Sequence, residues 1–310
     1  MPKELKFFTN GRGWNYIPDF PSRMPGGDKV LRDERQYTAT NSIVGFWRYY
    51  DEEVIEDTIQ KLRRSGVNNI RVWFHYYLWE HYKNLDDEVN PYVQRIKHLV
   101  RTLEDNYMYC CWVYFDSLVG AGFQPTVGEE HLDNATWQYF PFSGLGSQSN
   151  FMENSGIPYI EKMSSLVSAS QASFLYEFAN ELKIQQFTSS NVLKGVSAIY
   201  RCTSGNPKSK RAVGIVLQSP FRDIPGISGI GVDLQEQFKI HEQATGIDIL
   251  TVHPYANFDS ARSIQVDFAL SAGYDLNMPI FFTEGAYALA FNSFTDWMRW
   301  CAVSSLGWSL

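Results

Sequence analysis

With 310 residues, 44% hydrophobic and 20% charged, the chain is long and apolar enough to bury a large core, which excludes an intrinsically disordered protein. A net charge of −7 without any basic cluster argues against nucleic acid as a partner. No apolar run reaches the roughly 18 residues that a membrane span requires, so no membrane partner is expected.

In chain order, the opening Met1-Pro-Lys-Glu-Leu-Lys6 lacks the apolar core of a signal peptide. Secretion after removal of a signal is preferred over a cytoplasmic location. Asn10-Gly11 marks a turn and Gly13-Trp-Asn-Tyr16 a first strand, followed by an irregular stretch punctuated by Pro18, Pro21, Pro25 and Gly26-Gly27. Asp51 to Ser65 carries Val54, Ile55, Ile59 and Leu62 at helical spacing and stops at Gly66. Asn69 to Phe74 reads as a strand, Pro91 to Asp105 as a helix and Tyr107 to Phe115 as a third strand. A long connection runs from Asp116 to Ser155. From there helix-like and strand-like segments alternate: helices 157–168, 189–202, 233–244, 260–272 and 294–301, and strands beginning at Phe174, Ala212, Ile247, Pro279 and Leu306.

About eight strands alternating with about seven helices predict an α/β fold, a parallel (β/α)8 barrel in a single domain spanning 1–310. The chain stops directly after the eighth strand, where a complete barrel carries one more helix. A doubly wound sheet is the second choice, but no Gly-rich phosphate turn follows an early strand. Cys110 and Cys111, adjacent in a strand, point to opposite faces, while Cys202 and Cys301 sit in helix-like segments. No spacing suits zinc, so buried free thiols are expected, with no metal and no cofactor.

Polar residues gather where these strands end. Arg71 lies in the second strand, Asp116 just after the third, and Asn180-Glu181 closes Phe174-Leu-Tyr-Glu-Phe-Ala. Thr251-Val-His253-Pro-Tyr255 ends the sixth, Glu284 ends Pro279-Ile-Phe-Phe-Thr, and Trp308 lies in the eighth. A carboxylate at the end of a buried strand is costly unless paired or used. A barrel brings all such ends to one face. Two strands that each deliver one Glu point to a carboxylate pair, and glycoside hydrolysis is the leading reaction built on one. Glu177 shares strand parity with Glu181 but sits deeper, so it reads as a buried structural acid paired with Arg71 or a histidine. The 9 Trp and 18 Tyr suit sugar faces, with Trp14, Trp73, Trp137, Tyr139 and Trp308 as stacking candidates.

The order Arg71, Asn180-Glu181, His253-Pro-Tyr255, Glu284, Trp308 resembles that of clan A glycoside hydrolases, the retaining (β/α)8-barrel enzymes. Tyr176-Glu-Phe-Ala-Asn-Glu181, Gly66-Val-Asn-Asn-Ile-Arg71 and Gly13-Trp-Asn15 are similar to strands of family 5 cellulases and mannanases. Asp116-Ser117, Leu182 and Thr283-Glu-Gly-Ala286 depart from the family pattern of His, Pro and Glu-Phe-Gly at those places. The resemblance implies Glu181 as acid/base and Glu284 as nucleophile. Arg71 and Tyr255 would keep Glu284 ionised, Asn180 would contact the sugar 2-hydroxyl, and His253 and Trp308 would floor the site. Trp73, from the aromatic content, and Asp116, from its place at a strand end, are added as substrate contacts. The expected activity is retaining endo-hydrolysis of a β-1,4-linked polysaccharide, a β-glucan or β-mannan, by a monomer. A non-catalytic carbohydrate-binding barrel and a glycosidase of other sugar specificity stay open. A metal-dependent hydrolase would want His pairs on strand ends, and His253 alone does not supply them.

Overall fold

A computed structural model describes residues 12–15, 47, 50–116, 149–180, 188–217, 240, 243–254, 280–282 and 307–309. The expected helices at 233–244, 260–272 and 294–301 lie wholly or largely outside these. Among the described residues there are nine strand segments: β1 (Arg12–Asn15), β2 (Asn69–Trp73), β3 (Tyr109–Asp116), β4 (Ser173–Asn180), β5 (Lys210–Ala212), β6 (Ile215–Leu217), β7 (Leu250–Pro254), β8 (Ile280–Phe282) and β9 (Gly307–Ser309). They form one sheet in the order β5-β4-β3-β2-β1-β9-β8-β7-β6, every pairing parallel. The two ends of that order are neighbours in the chain, so the sheet closes on itself as a (β/α)8 barrel.

Closure runs through a strand that is broken rather than continuous. The single strand expected from Ala212 is split at Val213-Gly214, with β5 bonded to β4 and β6 to β7. Gly214 has φ 87°, the left-handed region that disfavours any residue with a Cβ. A Cβ there would stand 1.7 Å from the Ala179 carbonyl oxygen. The break thereby lets the Ala179 N–H donate to the Val213 carbonyl at 3.0 Å, against the strand end that carries Asn180.

Helices α1 (Glu52–Arg64), α2 (Tyr76–Tyr82), α3 (Pro91–Asp105), α4 (Ile157–Val167) and α5 (Ser189–Thr203) are the described ones. Asp51, Asn90 and Thr188 cap α1, α3 and α5, each side-chain oxygen taking a backbone N–H of the first turn. Ile55 and Ile59 of α1 and Ile96, Leu99 and Leu103 of α3 are buried, as their helical spacing predicts. Gly195 brings α5 close to β4, for a Cβ there would meet the Phe178 ring at 2.2 Å.

Two elements differ from the sequence reading. Helix α2 is built from Tyr76-Tyr-Leu-Trp-Glu-His-Tyr82, a composition that suits strands better than helices. The His75 ring nitrogen accepts from the Leu78 N–H at 3.0 Å and starts the helix, and Tyr76 and Trp79 then pack on Tyr159 of α4. Met152–Gly156, at the end of the expected loop, forms a π-helical turn leading into α4, with Phe151 and Met152 buried.

Gly214→Ala should lower stability by about 2 kcal/mol or more, since strain at positive φ adds to the clash with Ala179. Gly205→Ala, where a Cβ meets nothing within 4 Å, should stay within about 0.5 kcal/mol of the parent. Thermal unfolding compares the two; equal midpoints would refute the role given to Gly214.

Candidate active site

Parallel strands leave all their carboxyl ends on one rim, so Trp73, Asp116, Asn180, Pro254 and Phe282, the last residues of β2, β3, β4, β7 and β8, share it. Beneath that rim lies a buried polar cluster. Arg71 donates from Nε and Nη2 to Glu177 Oε2 at 2.8 and 2.6 Å, and from Nη2 to Asn180 Oδ1 at 2.8 Å. The other carboxylate oxygen, Oε1, accepts from the Thr251 hydroxyl at 2.7 Å. Arg71 and Glu177 are wholly buried. β3 separates β2 from β4, and the broken fifth strand separates β4 from β7. Hydrogen bonds that join β2, β4 and β7 therefore cross the barrel interior.

Two unit charges removed from water need each other and further hydrogen bonds to offset lost solvation. Among the described residues, both guanidinium contacts to Glu177 fall on one oxygen, and Thr251 donates to the other. Cys111, paired in register with Arg71, has its thiol pushed well up, by burial first and by Glu177 second, with Arg71 opposing. It stays a thiol and no nucleophile. The Arg71 guanidinium carbon lies 4.7 Å from the centre of the Trp73 ring, a cation–π contact in a desolvated place. The buried Trp73 indole Nε1 has no hydrogen-bond partner among the described residues.

The rim near β2 is fixed from outside the barrel. Trp47 Nε1 donates to the Trp73 carbonyl at 2.7 Å, and the Trp47 ring meets Tyr92 edge-on. Tyr50 stacks on Trp47 and is bonded to His98 Nδ1 at 2.7 Å. Tyr92 in turn accepts the His75 backbone N–H at 2.7 Å.

Of the residues singled out in the sequence, Arg71, Trp73 and Asn180 come together here. Glu177 is buried and paired with Arg71, as its strand position suggested, and it takes two of that residue's donors. Asp116, His253 and Trp308 occupy β3, β7 and β9, with register partners Asn180, Val216 and Phe282 respectively. Their side chains, and that of Trp14, lie outside the description. So do Glu181, Tyr255, Glu284, Trp137 and Tyr139. Thr251 escaped notice in the sequence, although it sits two residues before His253 and so shares its strand parity. Cys110 and Cys111 are buried free thiols, and Cys202 is free and half-buried. Among the described residues no group of three or more His, Cys, Asp or Glu is arranged to hold a metal ion, and no helix is long and apolar enough to cross a membrane.

Neither a family model nor a curated protein sequence matches the chain. Solved structures do. An exo-β-1,4-mannosidase from an Opitutaceae bacterium superposes with TM-score 0.60 at 14% identity, over 96% of this chain and 51% of that one. The β-mannanase of the blue mussel Mytilus edulis gives TM-score 0.59 at 12% identity, over 96% of this chain and 86% of that one. The β-1,4-mannanase of the sea hare Aplysia kurodai gives 0.56 at 13% identity, over 96% and 87%. The chain thus spans about half the length of the bacterial enzyme. At such identities the likeness is one of fold.

Burial lowers the His75 pKa from 6.5 to about 3. Between those values the unfolded chain holds a proton that the native one lacks. The contribution to stability is therefore complete above pH 6.5 and is lost as pH falls toward 3. His75→Asn keeps an acceptor at the helix cap but removes this proton. Its stability should fall less steeply over that window, by up to about 1.4 kcal/mol per pH unit. Parallel slopes for variant and parent in urea titrations would contradict a neutral buried His75.

Proposed function

We propose that the protein is a retaining β-glycosidase acting on a β-1,4-linked polysaccharide, with β-mannan preferred over β-glucan. The observation that carries this reading is the fixing of Asn180 by the buried Arg71–Glu177 pair at the end of β4, one residue before Glu181. In the sequence, Glu284 follows the end of β8 by two residues. The mannosidase and mannanases whose fold this chain shares support the choice of sugar.

In this reading Glu284 attacks the anomeric carbon while Glu181 protonates the departing oxygen. Glu181 then takes a proton from the water that releases the sugar. Two carboxyl groups about 5 to 5.5 Å apart serve this double displacement. Asn180 contacts the 2-hydroxyl, with Tyr255, His253, Asp116 and Trp308 as further substrate or nucleophile contacts. Trp73, the last residue of β2, is a further substrate contact in this reading. The reaction needs no cofactor, and a monomer suffices for it.

Hydrolysis of mannan, lichenan, cellulose derivatives and xylan, read as reducing ends, tests the substrate; release from xylan alone would overturn it. Glu284→Ala should form no glycosyl-enzyme with any aryl β-glycoside. Glu181→Ala should lose about 10²- to 10⁴-fold on substrates with poor leaving groups. It should still form the intermediate from activated ones and turn over to a β-glycosyl azide when azide is added. Equal loss in both variants without azide rescue would refute the roles.

A further inference from the structure

Glu177 has a place in the reaction that goes beyond balancing a charge. It takes two donors of Arg71 on Oε2 and the Thr251 hydroxyl on Oε1, so β2, β4 and β7 all converge on this one carboxylate. The same Arg71 Nη2 reaches Asn180 Oδ1. An amide has one acceptor atom and one donor atom at opposite corners. With Oδ1 turned down to the guanidinium, the Asn180 Nδ2 donor is the corner turned away from Arg71. Were Arg71 to swing, the amide would lose this contact, one that distinguishes its two ends.

We propose that Glu177 is a positioning residue that, through Arg71, fixes the Asn180 amide with its N–H donor toward an acceptor oxygen on the ligand, a hydroxyl beside the scissile bond. This rests on the glycosidase reading above for the identity of the ligand, but not for the orientation itself. Glu177 acts on the reaction through two other side chains and touches no reacting atom. Its carboxylate geometry matters as much as its charge, because each oxygen serves a different strand.

The test is Glu177→Gln, which keeps the shape but replaces one acceptor oxygen by an amide donor facing Arg71 or Thr251. On an aryl β-glycoside, kcat should fall on the order of 100-fold with KM little changed, the scale of an active-site misplacement. On the matching 2-deoxy glycoside, which lacks the hydroxyl that Asn180 would meet, the loss should be less than about 5-fold. A purely structural role would lower both alike, and equal losses overturn the proposal. Thr251→Val, removing only the contact to Oε1, should show the same contrast at smaller amplitude and serves if Glu177→Gln does not fold. Independently of turnover, the Asn180 side-chain amide resonances, assigned by their disappearance in Asn180→Asp, should move in Glu177→Gln or Thr251→Val. Unmoved resonances overturn the positioning role. A parent protein inactive on every aryl glycoside would instead refute the glycosidase reading, leaving the amide resonances to decide the role of Glu177.

Discussion

The Arg71–Glu177 ion pair is the constraint to which the rest of the barrel answers. Both charges are fully buried, and loss of either partner would strand the other at a cost of about 3 to 5 kcal/mol. Their contact demands that β2 and β4 face each other across the interior, and Thr251 adds β7 to the same cluster. Only a closed sheet supplies that arrangement, since on an open one these strands would lie side by side with others between them. The polar cluster and the barrel's closure are thus one requirement.

Closure is completed at the broken strand. Val213 and Gly214 separate β5 from β6, and a left-handed glycine is the only residue type that fits against the Ala179 carbonyl. The same glycine lies close to the Glu177 side chain, where an added Cβ would meet Cγ at 3.0 Å. The seam of the barrel and the support of Asn180 therefore share atoms. Close packing there leaves β4 little freedom to shift its end, which carries Asn180.

Between the strands and the helices packed on them, aromatic side chains do the positioning. Phe74 stacks on Trp112, Tyr159 meets Tyr76, Trp79 and Phe115, and Phe178 packs against Phe115. The Tyr114 and Tyr159 hydroxyls are held within this layer, by Ser164 and by the Tyr114 carbonyl. Burial pushes both phenols well above their ordinary range, so they serve as neutral bonds and not as acids. These eight aromatic residues thus belong to the layer between sheet and helices, a role that composition by itself cannot separate from sugar stacking.

The amino-acid sequence by itself determined the alternation of strands and helices. The apolar spacing of 52–64 and 91–105 and the strand-like runs at 69–73 and 173–180 are local patterns, written in neighbouring residues. It also determined that Glu177 is buried and paired, because an acid inside an apolar strand has few other fates. Helix α2 was not legible, since seven residues rich in aromatics take their helical form from the His75 cap and from packing on α4. Nor was the break at Val213-Gly214, because an isolated Gly in a strand pattern does not reveal which backbone presses on it. Only the tertiary structure decided that Arg71 spends two donors on Glu177 and one on Asn180, and that Thr251 completes the set. These partners lie 106, 109 and 74 positions apart in the chain, and no local periodicity encodes a contact made across the inside of a barrel.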